Sequence, residues 1–584
     1  MILVINLFYR NPLIEYDLDS SDCELFDFQG ENSDGVGFKN IIIDSFENHE
    51  RLFQVATHNF NLFIRELSNS MLEGEHVRNF QINGLPIFWL TSISEKLYYH
   101  WLVKAFFLKE LIKTNDSYFK GYNEIIFLIP DRYKGTVGFL NGFLMEFNLS
   151  TSFLFSKKNK ENKYVRFFKI SVKQIISYFT VRKPILKNKN YRITFISSLS
   201  QPLYSKNFIK NILSVAKIKE EEVSFIPIEL FHFSDNLVEY EIPEKLWYAK
   251  PIFWSYLNFI YKCFNLILRL NKVDSEFITV NKVQFPTTLL INELQEVLIL
   301  KNDLLLMNLW LSRFKEGIDN NGSFFYEDEF HPGGRAISHG LQGLNTYGMQ
   351  HSMYGPSHNL YNFSDEELYD FEDITRGMPR PKKFIVWGDY FKKLFLLNNS
   401  LPDSFILSLG NPSFIKKLEE SKLIPKTNKK NVVLYCLTRY EIFLQELVIV
   451  KKSLLTLDKF KLIVRFHPLW KFEEELVLEM FKDLDCEISF TEDVFEDMKS
   501  SNLVITSAHS GVWLESYILK IPTIRVQTFM SDQIEDSSIT HTVKNSQEME
   551  ESLYKMKRNS YEHDNDFLYL RKDRWQAFIK EVNA

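Results

Sequence analysis

The sequence predicts an α/β fold of two doubly wound, largely parallel sheets. Three observations carry that expectation. Short apolar runs rich in β-branched and aromatic residues alternate with longer helical patterns through most of the chain, which is the signature of successive β-α-β units. The 584 residues exceed what one hydrophobic core usually serves, so more than one such unit is expected. A hydrophobic fraction of 45% and a charged fraction of 25% belong to an ordinary globular chain, able to bury those cores.

Taken in order, strands are expected at Ile2–Leu7, Leu85–Leu90, Glu124–Ile129, Arg192–Ser197 and Ser224–Ile228, with a helix over Ser94–Ile112 between them. Pro251–Leu270 is the most apolar helical stretch. Lys262 and Arg269 interrupt it short of the roughly 18 to 20 clean residues that a spanning helix needs, so it reads as buried or interfacial. Ser323–Tyr326 and Thr346–Met349 are short strands around a helix from Arg335 to Leu344. A second series follows at Lys383–Trp387, Phe405–Leu409, Asn431–Leu437, Lys461–Phe466, Glu487–Phe490, Leu503–Thr506 and Thr523–Val526, leaving room for helices at Glu441–Leu455 and Val512–Leu519. The expected units are therefore residues 1–395, carrying a basic and aromatic insertion at 157–290, then residues 396–545, and a helical segment 546–584 that packs back across them.

Charge and cysteine exclude some functions. A net charge of −6 argues against broad nucleic-acid binding. Cys23, Cys263, Cys436 and Cys486 form no CxxC pair, so neither a disulfide framework nor a thiolate zinc site is indicated and a cytoplasmic setting fits. The apolar start MILVINLFYRNP lacks the basic region of a signal peptide. The 53 Phe and 27 Tyr accompany abundant Asn and Lys, a bias that an AT-rich genome produces as readily as function does. Local charge says more: Lys157–Arg192 holds twelve basic residues against the single acid Glu161, interleaved with aromatics. Such a segment suits the anionic inner face of a membrane or a polyanionic acceptor, or is simply a solvated helix face.

Ligands of an open parallel sheet bind beyond the carboxyl ends of its strands. Three such ends are chemically loaded: Asn431–Leu437 leads to Thr438 and Arg439, Lys461–Phe466 to His467, and Leu503–Ile505 to Thr506, Ser507, Ala508, His509, Ser510 and Gly511. The last opens a helix, where unpaired N–H groups and the positive dipole end favour a phosphate, and Glu515 one turn on is placed for a sugar or ribose hydroxyl. A second group surrounds the strands at Ser323 and Thr346. Glu327, Asp328 and Glu329 share a loop with His331 and Arg335, while Gln350, His351 and Tyr354 follow the next strand. A carboxylate and an imidazole on adjacent strand ends form a general base and its partner. His331, His339, His351 and His358 match no metal-ligand spacing, so neither a metal nor a cofactor is expected.

Phe466–Pro468 (FHP) with Thr506–Ser510 (TSAHS), a following Glu and a Pro-Thr-Ile strand resemble a GT-B glycosyltransferase, and the paired motifs are similar to the HP and Ser/Thr motifs of bacterial sialyltransferases. FWLTSISEK at Phe88–Lys96, YEDEFHPGGR at Tyr326–Arg335, YGMQHSMYG at Tyr347–Gly355 and FIVWGDYFKK at Phe384–Lys393 resemble bacterial capsule and lipopolysaccharide biosynthesis proteins. The resemblance implies two Rossmann-like domains facing a cleft, and a metal-independent, inverting transfer of a sugar to a surface glycan or lipid-linked acceptor. In the sialyltransferases the histidine and hydroxyls bind the phosphate of a CMP-sugar, here His467 with Thr506, Ser507, Ser510 and Gly511, beside Arg439. Their acidic base motif is absent, so Glu329 is the expected base, backed by Asp328 and Glu327, with His351 and His467 also catalytic and Arg335, Gln350 and Tyr354 on the acceptor side. Glycerophosphotransferases of teichoic-acid synthesis share the late motifs, which leaves a CDP-glycerol donor open. A nucleotide-sugar epimerase, a non-catalytic nucleotide-sugar binder and a partner of a polysaccharide export complex also remain open.

Overall fold

Three parallel sheets organise the chain. The computed structural model describes residues 2–6, 23–27, 39–40, 49–72, 74–95, 100–130, 140, 147, 151–156, 163–183, 185–187, 192–197, 202–227, 230–231, 241–280, 283–317, 322–327, 330–355, 359–363, 365–368, 377–421, 431–437, 440–457, 460–467, 474–491, 493–508, 510–527, 540–556 and 568–583.

The first sheet contains β1 (Ile2–Asn6), β2 (Cys23–Asp27), β3 (Lys39–Asn40), β4 (Glu124–Pro130) and β5 (Thr151–Ser156), in the order β3-β2-β1-β4-β5. Helices α1 (His49–Asn69) and α2 (His100–Thr114) precede β4, and α3 (Lys163–Thr180) follows β5. The second sheet has six strands, β6 (Ile193–Ile196), β7 (Val223–Ile226), β8 (Ser323–Tyr326), β9 (Asn345–Met349), β10 (Lys383–Val386) and β11 (Ile406–Ser408), in the order β7-β6-β8-β9-β10-β11. Its helices are α4 (Pro202–Ala216), α5 (Phe253–Leu270), α6 (Thr287–Leu300), α7 (Asn302–Glu316), α8 (Pro332–Gly340), α9 (Asp389–Asn398) and α10 (Pro412–Ser421). The third sheet, β12 (Val432–Cys436), β13 (Lys461–Arg465), β14 (Cys486–Ser489), β15 (Leu503–Ser507), β16 (Thr523–Val526) and β17 (Thr540–Val543), runs β14-β13-β12-β15-β16-β17. Numbered within itself that order is 3-2-1-4-5-6, the dinucleotide-fold order. Its helices are α11 (Tyr440–Leu454), α12 (Val494–Lys499), α13 (Val512–Leu519) and α14 (Ser546–Met556), and α15 (Asp573–Asn583) ends the chain.

Both six-stranded sheets are buried on two faces. In β8 Phe324 and Tyr326 enter one core with Leu3 and Phe127 of the first sheet, whereas Phe325 enters another with Ile193, Met349 and Trp575. In β12 Val433 and Tyr435 face one cluster, Leu434 and Cys436 the other. Side chains alternate across a strand, so a strand covered by helices on both sides must be apolar throughout, and these are. The structure thus has the two parallel six-stranded units expected of a GT-B-like α/β fold.

Some local expectations change. Leu85–Leu90 is not a strand. Asn83 and Gly84, at φ of 50° and 83°, turn a short hairpin that pairs Gln81–Ile82 with Leu85–Pro86, and a 3-10 turn then takes Ile87–Leu90. Those four residues are fully buried, so their apolarity alone did not distinguish strand from turn. Within the expected Ser94–Ile112 helix, the described helical residues are those of Ser92–Glu95 and α2. Helix α8 starts at Pro332, whose missing N–H costs nothing at N1, and ends at Gly340 rather than at Leu344.

Candidate functional site

In the third sheet the strand order reverses between β12 and β15, where a doubly wound sheet opens its ligand crevice. β15 ends with Thr506 and Ser507, both buried. The Thr506 hydroxyl makes no hydrogen bond, and Arg525 on β16 is its neighbour in register. Ala508 continues the ladder by donating to the Val526 carbonyl at 2.9 Å. The chain then turns into α13: Ser510 N–H donates to the Ser507 carbonyl at 3.1 Å, and Val512 N–H to the Ser510 hydroxyl at 3.3 Å. Gly511, the helix N-cap, is exposed, and a Cβ built on it meets nothing within 4 Å. The start of α13 therefore opens onto free space; Val512 and Leu514 N–H are bonded locally, to the Ser510 hydroxyl and at 3.0 Å to the Gly511 carbonyl, and the positive end of the helix suits an anion.

His467 stands two residues beyond β13, on the strand beside β12, and is half-buried. Its neighbour Arg465 pairs with Asp497 at 2.6 Å, and Ser489 and Thr491 donate to the same carboxylate at 2.6 and 2.9 Å. This network fixes the ends of β13 and β14. Arg439, Thr438 and His509 lie outside the described residues, as do Asp328, Glu329 and His358.

Glu515 faces out of α13 toward the second sheet. Lys417 of α10 holds it at 3.0 Å and also reaches Asp493 at 3.3 Å. Burial raises the Glu515 carboxyl, and the ammonium offsets part of that rise. Trp513 makes a second bridge, its indole N–H lying 2.7 Å from Met353 Sδ and its ring beneath Arg525, with 4.8 Å from guanidinium carbon to ring centre. Helix α10 follows β11 and Met353 follows β9, so α13 meets the carboxyl-end side of the second sheet.

On that side the order reverses between β6 and β8. Glu327, just after β8, is buried. His331 caps α8 without a side-chain cap bond and reaches His351, which follows β9, with Nε2 atoms 3.3 Å apart and ring centres 4.9 Å apart. Such a contact needs one proton between two nitrogens, one donating and one accepting, so the pair can accept a proton from a third group. Gln350 fixes the turn before His351: its Oε1 accepts from Trp387 N–H at 3.0 Å and its Nε2 donates to the Ser352 carbonyl at 2.9 Å. Gln350 is thus a brace. Arg335 is another, buried and donating to the Trp89 carbonyl at 2.8 Å and to Ser94 Oγ at 2.9 Å. The Tyr354 hydroxyl donates to the Phe391 carbonyl at 2.7 Å inside the core. His339 is remote from the pair. It meets Asn308 at 2.9 Å, and burial lowers it to about 4. Among the described residues no group of three or more His, Cys, Asp or Glu is placed to hold a metal ion.

One residue escaped the sequence reading. Glu446 of α11 is fully buried, and burial pushes it up to about 8, with the Ser507 side chain beside it acting the other way. The signal was a charge in register with the apolar stripe of Phe443, Leu447, Val450 and Leu454.

No protein-family model and no curated protein matches the chain. Among solved structures it is similar to the UDP-GlcNAc 2-epimerase of Neisseria meningitidis bound to UDP-GlcNAc, at 10% identity and a TM-score of 0.38, covering 67% of this chain and 98% of that one. It is also similar to the wall teichoic acid polymerase TagF soaked with CDPG, at 11% identity and a TM-score of 0.33 over 72% and 96%. The glycotransferase of kitacinnamycin gives 9% and 0.33 over 69% and 96%. Likenesses this distant say nothing of what this chain binds; the two six-stranded sheets and their facing ends rest on the chain's own geometry.

Proposed function

We propose that the chain is an inverting glycosyltransferase that takes a sugar from a nucleotide-sugar and passes it to a hydroxyl of a bacterial surface glycan or its lipid-linked precursor. One observation carries this reading. An anion-ready helix start and His467 flank the switch point of a 3-2-1-4-5-6 sheet, and the loop bearing the His331–His351 pair touches that same helix from the neighbouring sheet. In this mechanism the acceptor oxygen attacks the anomeric carbon as the bond from that carbon to the phosphate oxygen breaks. The electron pair leaves with the phosphate, whose charge the positive end of α13 and His467 stabilise. The acceptor proton passes to the unprotonated imidazole nitrogen of the histidine pair. Preorganised donors aimed at developing charge are usually the largest catalytic term, which is why the α13 end matters most.

The test is a thermal-shift panel of CMP, CDP, UDP, GDP and dTDP, followed by nucleotide release with and without a glycan acceptor. The FHP and TSAHS motifs favour CMP. One nucleotide should stabilise the fold, and free nucleotide should appear only with acceptor present. Release or donor conversion without an acceptor refutes transfer and points to an epimerase or hydrolase, and stabilisation by no nucleotide refutes the donor site itself.

A further inference from the structure

We infer that α3 and α5 form a two-helix platform that seats the protein on an anionic lipid bilayer. The helices run antiparallel: Tyr164 near the start of α3 meets Asn271 just past α5, while Tyr178 near its end stacks on Tyr256 near the start of α5 with ring centres 5.5 Å apart. Their inner faces are sealed. Phe167 of α3 and Phe259, Cys263 and Ile267 of α5 are buried, and Lys163 and Gln174 tie α3 to Gln295 at 3.0 Å and Asn302 at 2.8 Å.

The outer faces are apolar where solvent would otherwise lie. Phe168, Val172, Ile176 and Phe179 repeat at helical spacing along α3 with exposures of 70%, 38%, 58% and 65%, and on α5 Trp254 and Tyr261 are 74% and 61% exposed. Thirteen of the 21 large hydrophobic side chains exposed among the described residues fall between Tyr164 and Leu268, so this is a patch and not a scatter. Phe168, Val172 and Ile176 line a shallow groove with Lys169 and Lys173.

Charge identifies the occupant. Helix α3 carries Arg166, Lys169 and Lys173 beside the inward Lys163, α5 carries Lys262 and an Arg269 that pairs with Glu75 at 2.6 Å, and neither helix contains an acid. A second copy of this face would set cations against cations. A soluble polyanion would satisfy the lysines but leave Trp254, Phe168 and Phe179 wet. A bilayer interface with anionic headgroups accepts both, with apolar side chains inserted below the headgroups and basic ones among them. No helix among the described residues is long and apolar enough to cross a membrane, so the contact is interfacial.

The experiment is co-sedimentation of the full chain with phosphatidylcholine vesicles, with and without phosphatidylglycerol. Wild type should bind the anionic vesicles and lose at least tenfold in partitioning on neutral ones. F168S/I176S should lose binding at every salt concentration, and K169E/K173E should lose it mainly at low salt, since each surface cation contributes about fivefold. All these side chains are exposed, so the variants should melt as wild type does. Failure to bind anionic vesicles overturns the inference, as does equal binding to both vesicle types. It is also overturned if F168S/I176S binds as wild type does, or if F168S/I176S abolishes a dimer found without vesicles.

Discussion

Replacing Glu446 by glutamine should remove a pH-dependent weakness from the third sheet. The wild-type carboxyl is fully buried beside Ser507, and burial raises its pKa from 4.5 to about 8. The unfolded chain gives up this proton near pH 4.5 and the folded chain holds it until about pH 8. Unfolding is therefore favoured progressively as pH climbs between the two values, and the loss is flat above them. At about 1.36 kcal/mol per unit the penalty is below ~1 kcal/mol at about pH 5, ~3 kcal/mol at pH 7 and ~4 kcal/mol at about pH 8. Glutamine has nearly the same shape and does not ionise in this range, so its own cost of burial is constant. The assay is urea unfolding of both proteins at about pH 5 and about pH 8. The variant should gain ~3–4 kcal/mol on wild type between the two, whatever their difference at the lower pH. Parallel pH slopes would falsify the claim that Glu446 is buried as the neutral acid. The same titration reaches the site, because ionised Glu446 places a negative charge near Ser507. Anion affinity at the start of α13 should therefore fall above about pH 8 in wild type and hold in the variant.

Changing His467 to Ala should lower turnover by about 10²–10³-fold, the scale for losing one preorganised donor, with little change in melting temperature; an unchanged kcat removes its role. Changing His351 to Ala should cost about 10²–10⁴-fold in kcat, the range of general acid-base catalysis. Losses in kcat from H331A and H351A that simply add in the double variant would contradict two imidazoles acting as a unit. Changing Gly410 to Ala should destabilise by more than ~1 kcal/mol and expose the C-terminal segment to protease. Gly410 lies at φ +90°, a Cβ there would stand 2.1 Å from the Tyr569 carbonyl oxygen, and its own carbonyl accepts from the Trp575 indole at 3.0 Å; an unaltered melt and digest would show that this close approach relaxes freely.

All but one of the strands of the two six-stranded sheets were legible because strands covered on both faces are largely apolar, as Val432–Cys436 and Leu503–Ile505 are; the edge strand Thr540–Val543, which reads THTV, was not. The first sheet was not separated from the second because two of its strands are polar or brief. Cys23–Asp27 reads CELFD, with Glu24 buried against the Tyr122 hydroxyl, and Lys39–Asn40 spans only two residues. The site divides the same way. Residue type and strand end placed His467, Ser510, Gly511 and His351 just beyond the carboxyl ends of parallel strands, where the structure has them. Type could not tell a ligand group from a brace. Arg335 sits beside two glycines and a histidine and carries five donors, the usual marks of anion binding, yet it is spent on Trp89 and Ser94, far away in sequence. That distance carries the physical point. The motif FWLTSISEK looked functional beside YEDEFHPGGR, and the structure joins them through a buried guanidinium that ties the helix after β8 to the turn at Phe88–Ser94. His331 caps that same helix, so Arg335 acts on the His331–His351 pair by holding the helix that presents it. Loss of Arg335 should therefore displace the His331–His351 pair, which an exogenous guanidinium would not restore.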